Sequence, residues 1–160
     1  MKMSRGVEWA VHCCLNLAWA GPEEAVPVAR LAAFYDLPVA YLNKQVQALV
    51  RAGIASSISG PRGGFRLARP PERISLLDVV TAIEGPDPAF RCAEIRRQGP
   101  FGGDPESFAG RCLVDQAMLQ AELAWRRELA SQTLASLTTA VERDAPGVPD
   151  RARRWFAAQT

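Results

Sequence analysis

Hydrophobic positions recur along the first twenty residues with the period of a helix. Val7, Val11, Cys14 and Ala18 stand at i, i+4, i+7 and i+11, the apolar stripe of an amphipathic α-helix. Ser4 is placed to cap its start, and Gly21-Pro22 ends it. A second helix is predicted in PVARLAAFY (27–35), opened by a proline suited to a first turn. After a short turn at Asp36-Leu37, Pro38 opens a third helix, PVAYLNKQVQALVRAG, closed by Gly53. Leu42, Val46, Leu49 and Val50 form its inward face, and Tyr41, Lys44, Gln45, Ala48 and Arg51 lie on the other side. The period then changes. IASSIS and FRLAR are short strand-like runs joined by GPRGG, whose glycines can take positive φ, so a β-hairpin is expected. SLLDVVTAIEG (75–85) follows as a fourth helix, with Ser75 as cap and Asp78 three residues on. Helix, helix, turn, helix and hairpin in this order make a winged helix-turn-helix. The fold class is therefore mainly α with a small β-wing.

Between Gly85 and Arg111 the periodicity disappears, apart from a single helical turn at AEIRR. Nine of these 27 residues are Gly or Pro, and loops of this length are usually functional or disordered. From Cys112 to about Asp144 a helical pattern returns, with Leu113, Ala117, Ala121, Ala124, Leu134, Leu137 and Val141 along much of one side. A single helix of that length would run about 50 Å, too long for a small monomer to cover, which predicts a partner chain. The tail, PGVPDRARRWFAAQT, reads as a short basic amphipathic turn around Trp155 and Phe156.

Composition is that of an ordinary globular chain, 48% apolar and 22% charged. The best apolar window, 7–20, is interrupted by Glu8, His12 and Asn16, so no membrane span or export leader is expected. The cytoplasm is then the expected location. Disulfides are rare there, and the four cysteines read as core residues, metal ligands or redox thiols. The net charge of +2 is unevenly spread. Residues 38–73 hold six basic residues against one acid, the footprint of an anionic partner such as DNA. In a winged helix-turn-helix the third helix enters the major groove and the hairpin meets backbone or minor groove. That assigns double-stranded DNA to Tyr41, Lys44, Gln45, Gln47 and Arg51 of the third helix, to Arg62 at the hairpin tip and to Arg66 on the returning strand. No phosphate-binding glycine loop, serine triad or second histidine accompanies Cys13 and Cys14, so neither an enzyme nor a small-molecule substrate is expected.

The first helix also carries VEWAVHCC, with the sole histidine of the chain. Glu8 and His12 are four apart, about 40° around the helix, and can bind one metal atom together. Leu15 and Trp19 continue that stripe, leaving a second face to meet a neighbour. Cys14 lies on the core stripe as a small buried hydrophobe. Cys13 points to a third side with Trp9 and Asn16 and is not expected to ligate. From the residues alone, a surface ion pair and a metal-ligand pair both remain open.

The run YLNKQVQALVRAGIASSISGPRGGFRLARP, followed by ISLLDVVTAIEGP, resembles the bacterial winged-helix regulators that include IscR and NsrR, over about residues 3–144. The resemblance implies a homodimer with a long C-terminal dimerisation helix and, in many members, an iron–sulfur cluster held by loop cysteines. The loop here departs from the usual three cysteines within about a dozen residues. It has Cys92 in FRCAEIRR and Cys112 in GRCLVD, twenty apart. Clusters generally need four protein ligands, and histidine can replace cysteine. The VEWA-x-HCC opening, the PDPAF-x-C-x-EIR loop and the distant second cysteine are similar to a redox-regulating branch of the family. That similarity implies a 2Fe–2S cluster held by Cys92 and Cys112 of one chain and by Glu8 and His12 of the partner subunit. It also implies a DNA-binding domain at 1–84, a cluster-binding loop at 85–111, a dimerisation helix at 112–144 and a tail at 145–160. Zinc bound by two cysteines, one histidine and one carboxylate is the chemical alternative, in a zinc- or thiol-dependent repressor.

Overall fold

A computed structural model describes residues 3–100, 102, 108 and 110–158. Parts of the expected loop (101, 103–107 and 109) and of the tail (159–160) lie outside the described residues. The chain divides into two compact units, 87–128 and a larger one built from 2–86 with 129–160.

The larger unit is organised around α1 (Arg5–Ala20). Its predicted start and stop hold, since Gly21 takes a positive φ of 97° and its N–H returns to Leu17 O. Ser4 stands at the cap position, but its hydroxyl donates to Glu84 Oε1 at 2.6 Å rather than capping the helix. The two-faced picture of α1 needs correction. Five consecutive residues, Cys13 to Leu17, are all buried, a full turn and more of the helix. Leu15 and Trp19 are only 3% and 8% exposed, packed in the chain's own core and not available to a neighbour. The reason is that α1 is surrounded by helices and by the wing.

The helix-turn-helix follows as α2 (Val28–Phe34) and α3 (Val39–Arg51). Asp36 takes a left-handed φ of 52° in the turn, and Leu37 N–H returns to Ala32 O at 2.9 Å. Leu42, Val46 and Leu49 are fully buried, as the periodicity predicts. β1 (Ala55–Ile58) and β2 (Gly64–Leu67) pair antiparallel, Ala55 opposite Leu67 and Ile58 opposite Gly64. Phe65 of β2 also bridges to Val26, which brings the Val26 backbone so close to Gly64 that a Cβ there would lie 2.4 Å from Val26 C. Only glycine fits. α4 (Leu76–Glu84) starts with the predicted capping box, Ser75 Oγ accepting from Asp78 N–H and Asp78 Oδ2 accepting from Ser75 N–H.

The long C-terminal helix is not continuous. α5 (Leu113–Ser131) ends, and α6 (Leu134–Asp144) begins after Gln132-Thr133. Here the backbone turns to pair with the segment before α4. Leu76 N–H donates to Gln132 O at 2.8 Å and Leu134 N–H to Ile74 O at 2.9 Å. Thr133 and Ser136 then form a second capping box that restarts the helix. The tail is also more ordered than a single turn. α7 (Gly147–Ala157) buries Pro149, Ala152 and Phe156 at i, i+3 and i+7 and packs against α1. Phe34 of α2 stacks on Phe156 (5.2 Å, 20°) and meets Trp155 edge-on (5.2 Å, 83°).

The smaller unit holds a 3₁₀ turn at Ile95–Arg97 and most of α5, a helix that buries none of its residues. Among the described residues no helix is long and apolar enough to cross a membrane.

Candidate nucleic-acid interface and metal-ligand residues

On α3, Tyr41, Lys44 and Arg51 are exposed, while Gln45 and Gln47 are half-buried. Gln45 is occupied, because its amide lies against Gly6 at the start of α1, within 3 Å of where a Cβ would stand. Arg62 is exposed at the wing tip. Arg66 donates to Pro22 O at 3.2 Å. Arg69, counted in the basic stretch, is used inside the fold. It donates to Gly53 O and Arg73 O and lies 3.8 Å from Asp78. Of the candidate DNA contacts, Lys44, Arg51 and Arg62 are the exposed cations. Arg62→Ala should weaken binding to operator and scrambled duplex about equally, and flatten the log–log salt slope by about one unit. A salt titration of both duplexes checks this, and an unchanged slope contradicts it.

Glu8 and His12 are both exposed on α1. Together with Trp9, Tyr35 and Leu37 they line a hollow of about 210 Å³. Tyr35, which no sequence pattern singled out, stands 3.5 Å through its hydroxyl from His12 Nδ1, the rings meeting edge-on at 5.3 Å. Burial pushes the Tyr35 phenol up to about 12, with Cys13 adding to the effect and Asn16 opposing it. Trp9 meets Tyr41 of α3 edge-on at 6.3 Å. Cys13 and Cys14 are fully buried, and burial pushes both thiols up, Cys13 to about 12. That is the behaviour of inert core thiols.

The smaller unit brings the other two cysteines together. Cys92 is half-buried and Cys112 buried, and Cys92 stands near enough to act on the Cys112 thiol. Cys112 sits just before α5, its carbonyl accepting from Gln116 N–H at 2.9 Å. Its Sγ faces the open backbone N–H groups of the first turn. Asp115 N–H, more than Val114 N–H, Cys92 and the Arg96 guanidinium, holds the thiol below its ordinary range against the opposing effect of burial. Cys92 Sγ accepts from Glu94 N–H at 3.4 Å, with Glu94 in the left-handed region at φ 50°. Arg96, also unremarked in the sequence, bonds to Glu94, donates to Gly110 O at 3.1 Å and lies over the Phe108 ring. It fastens the two ends of the loop beside the sulfurs. Among the described residues, no three His, Cys, Asp or Glu side chains of one chain gather as a metal-binding group.

A helix-turn-helix with an exposed basic recognition helix and wing defines a DNA-binding transcription regulator of the winged-helix class. Residues 3–140 match the Rrf2 family, described as iron-dependent transcriptional regulators, and the chain belongs to that family. Relatives include the HTH-type transcriptional regulator IscR of Xenorhabdus nematophila, 31% identical over 114 residues, 71% of this chain and 65% of that protein. Protein rrf2 of Nitratidesulfovibrio vulgaris is 30% identical over 152 residues, 95% of this chain and 94% of that protein. Among solved structures, the B. subtilis global cysteine regulator CymR is similar in fold (TM-score 0.69, 23% identity, 88% of this chain and 98% of that one). So is T. potens IscR (TM-score 0.68, 21% identity, 91% of each chain). These relatives are regulators and not enzymes, and so is this chain.

Proposed function

We propose that the chain is a homodimeric, cytoplasmic regulator that senses redox state through a 2Fe–2S cluster bound by Cys92 and Cys112 and by Glu8 and His12 of the partner subunit. The observation that carries this reading is the cysteine pair. Two thiols twenty residues apart in sequence are neighbours, and one is held toward thiolate by the first turn of α5. Thiolate is the form that binds iron. Exposed Leu113 (77%), Val114 and Met118 along α5 support a second copy as the covering partner.

A bound cluster supplies a one-electron couple. Glu8 would offer it a hard oxygen donor, a type that suits ferric better than ferrous iron. Glu8 and His12 stand on the first turns of α1, which touch the recognition helix twice, through Trp9 on Tyr41 and Gly6 on Gln45. A shift there moves α3, and in a two-fold dimer it changes the spacing of the two reading heads.

The test is anaerobic purification with metal and sulfide analysis. Iron and acid-labile sulfide in about equal amounts, with a brown chromophore that bleaches on reduction, are expected. Zinc, or thiols without metal, would support the zinc- or thiol-dependent repressor instead.

A further inference from the structure

We propose that the leading turn of the recognition helix, Val39, Ala40 and Tyr41, is an apolar reader of thymine that recognises the C5-methyl groups of T·A pairs in the major groove. The inference concerns the operator and not the signal, so it does not depend on the metal reading.

Pro38, Val39, Ala40 and Tyr41 are four consecutive exposed residues at the start of α3. Val39 is 46% exposed and Tyr41 64%, while Leu42, Val46 and Leu49 anchor the helix in the core as fully buried residues. Folding has no use for apolar side chains on that turn. Scattered singly they would need no explanation, but here they are contiguous.

Their place on the helix supplies a use. Ala40, Lys44, Gln47 and Arg51 stand at i, i+4, i+7 and i+11, one stripe on the outward side of α3. Ala40 therefore extends, toward the N-terminus, the face that carries the exposed cations. A recognition helix meets base edges with its N-terminal residues. Hydrogen-bonding readout is scarce on this turn. Its one side-chain donor or acceptor is the Tyr41 hydroxyl, and the amide of Gln45, one turn on, lies against Gly6. Alkyl groups set against a polar base edge would leave that edge without the partner it had in water. The thymine methyl is the apolar group that the major groove presents, and apolar side chains are its partners.

Binding-site selection from a random duplex library supplies the operator, with the full-length protein selected once oxidised and once reduced. Each half-site is expected to hold a T·A pair at which deoxyuridine, lacking only the C5-methyl, weakens binding about fourfold, the worth of one buried carbon group. Fluorescence anisotropy of the paired duplexes measures the ratio. Val39→Ser and Tyr41→Ser change exposed positions, where substitution costs the fold little. At least one of them should bring the ratio down to about one. Enriched half-sites without thymine, or thymines all indifferent to the loss of the methyl, would overturn the proposal. So would a penalty that persists undiminished in both variants, because the methyl would then act through DNA shape or another residue. Failure to enrich any sequence in either redox state would also overturn it. Iron content enters none of these outcomes, so a protein without a cluster could still bear the proposal out.

Discussion

Cys112→Ala is expected to remove the chromophore and its iron completely, and Cys92→Ala to do the same, while Cys13→Ala and Cys14→Ala keep both. The four cysteines divide by environment. Cys13 and Cys14 lie in the apolar core with their thiols pushed up by burial, so neither is a ready thiolate. Cys112 has backbone N–H groups of α5 on its sulfur, Arg96 nearby and Cys92 alongside. Alanine at either loop position leaves one thiolate where two are needed, and thiolates are the strongest iron donors in the proposed set. Iron content and visible absorbance of anaerobically purified variants check this. Full iron in both loop variants would contradict the assignment.

Phe156→Ala should destabilise the chain by about 3–5 kcal/mol, the usual cost of truncating a buried phenylalanine. That is a large fraction of the stability of an ordinary domain. Phe156 is buried and stacked on Phe34, and its carbonyl accepts from Arg30 of α2 at 2.8 Å. Arg153→Ala, on the exposed side of the same helix, should change stability by no more than about 0.5 kcal/mol. Urea unfolding of both variants measures the contrast. Equal effects would mean that α7 is not part of the core.

The elements legible in the sequence are those whose signals are local. Ser75 and Asp78 announce α4, Gly21 and Gly53 close their helices, and Leu42, Val46 and Leu49 mark the inner face of α3 by spacing alone. The cause of the break in the long helix is not local: it is pairing with Ile74 and Leu76, more than fifty residues away in sequence. A local hint existed in Thr133 and Ser136, which form a capping box. α7 was understated because Pro146, Pro149 and a run of arginines obscure the stripe of Pro149, Ala152 and Phe156. Counting charges located the basic stretch but could not tell Arg62, which is exposed, from Arg69, which is spent on two carbonyls and Asp78. Tyr35 and Arg96 were invisible for the same reason. Each matters through a neighbour that only the folded chain supplies.

The central claim is that two chains build each site, and one complementation measurement tests it. Glu8→Ala/His12→Ala and Cys92→Ala/Cys112→Ala chains are co-expressed with different tags, and heterodimers carrying both tags are isolated anaerobically. Each parent alone should be colourless. The heterodimer holds one complete set, both cysteines from one chain with Glu8 and His12 of the partner subunit, and should recover about half of the wild-type iron with the same spectrum. Heterodimers that form but contain no iron would contradict the account and place all the ligands within a single chain.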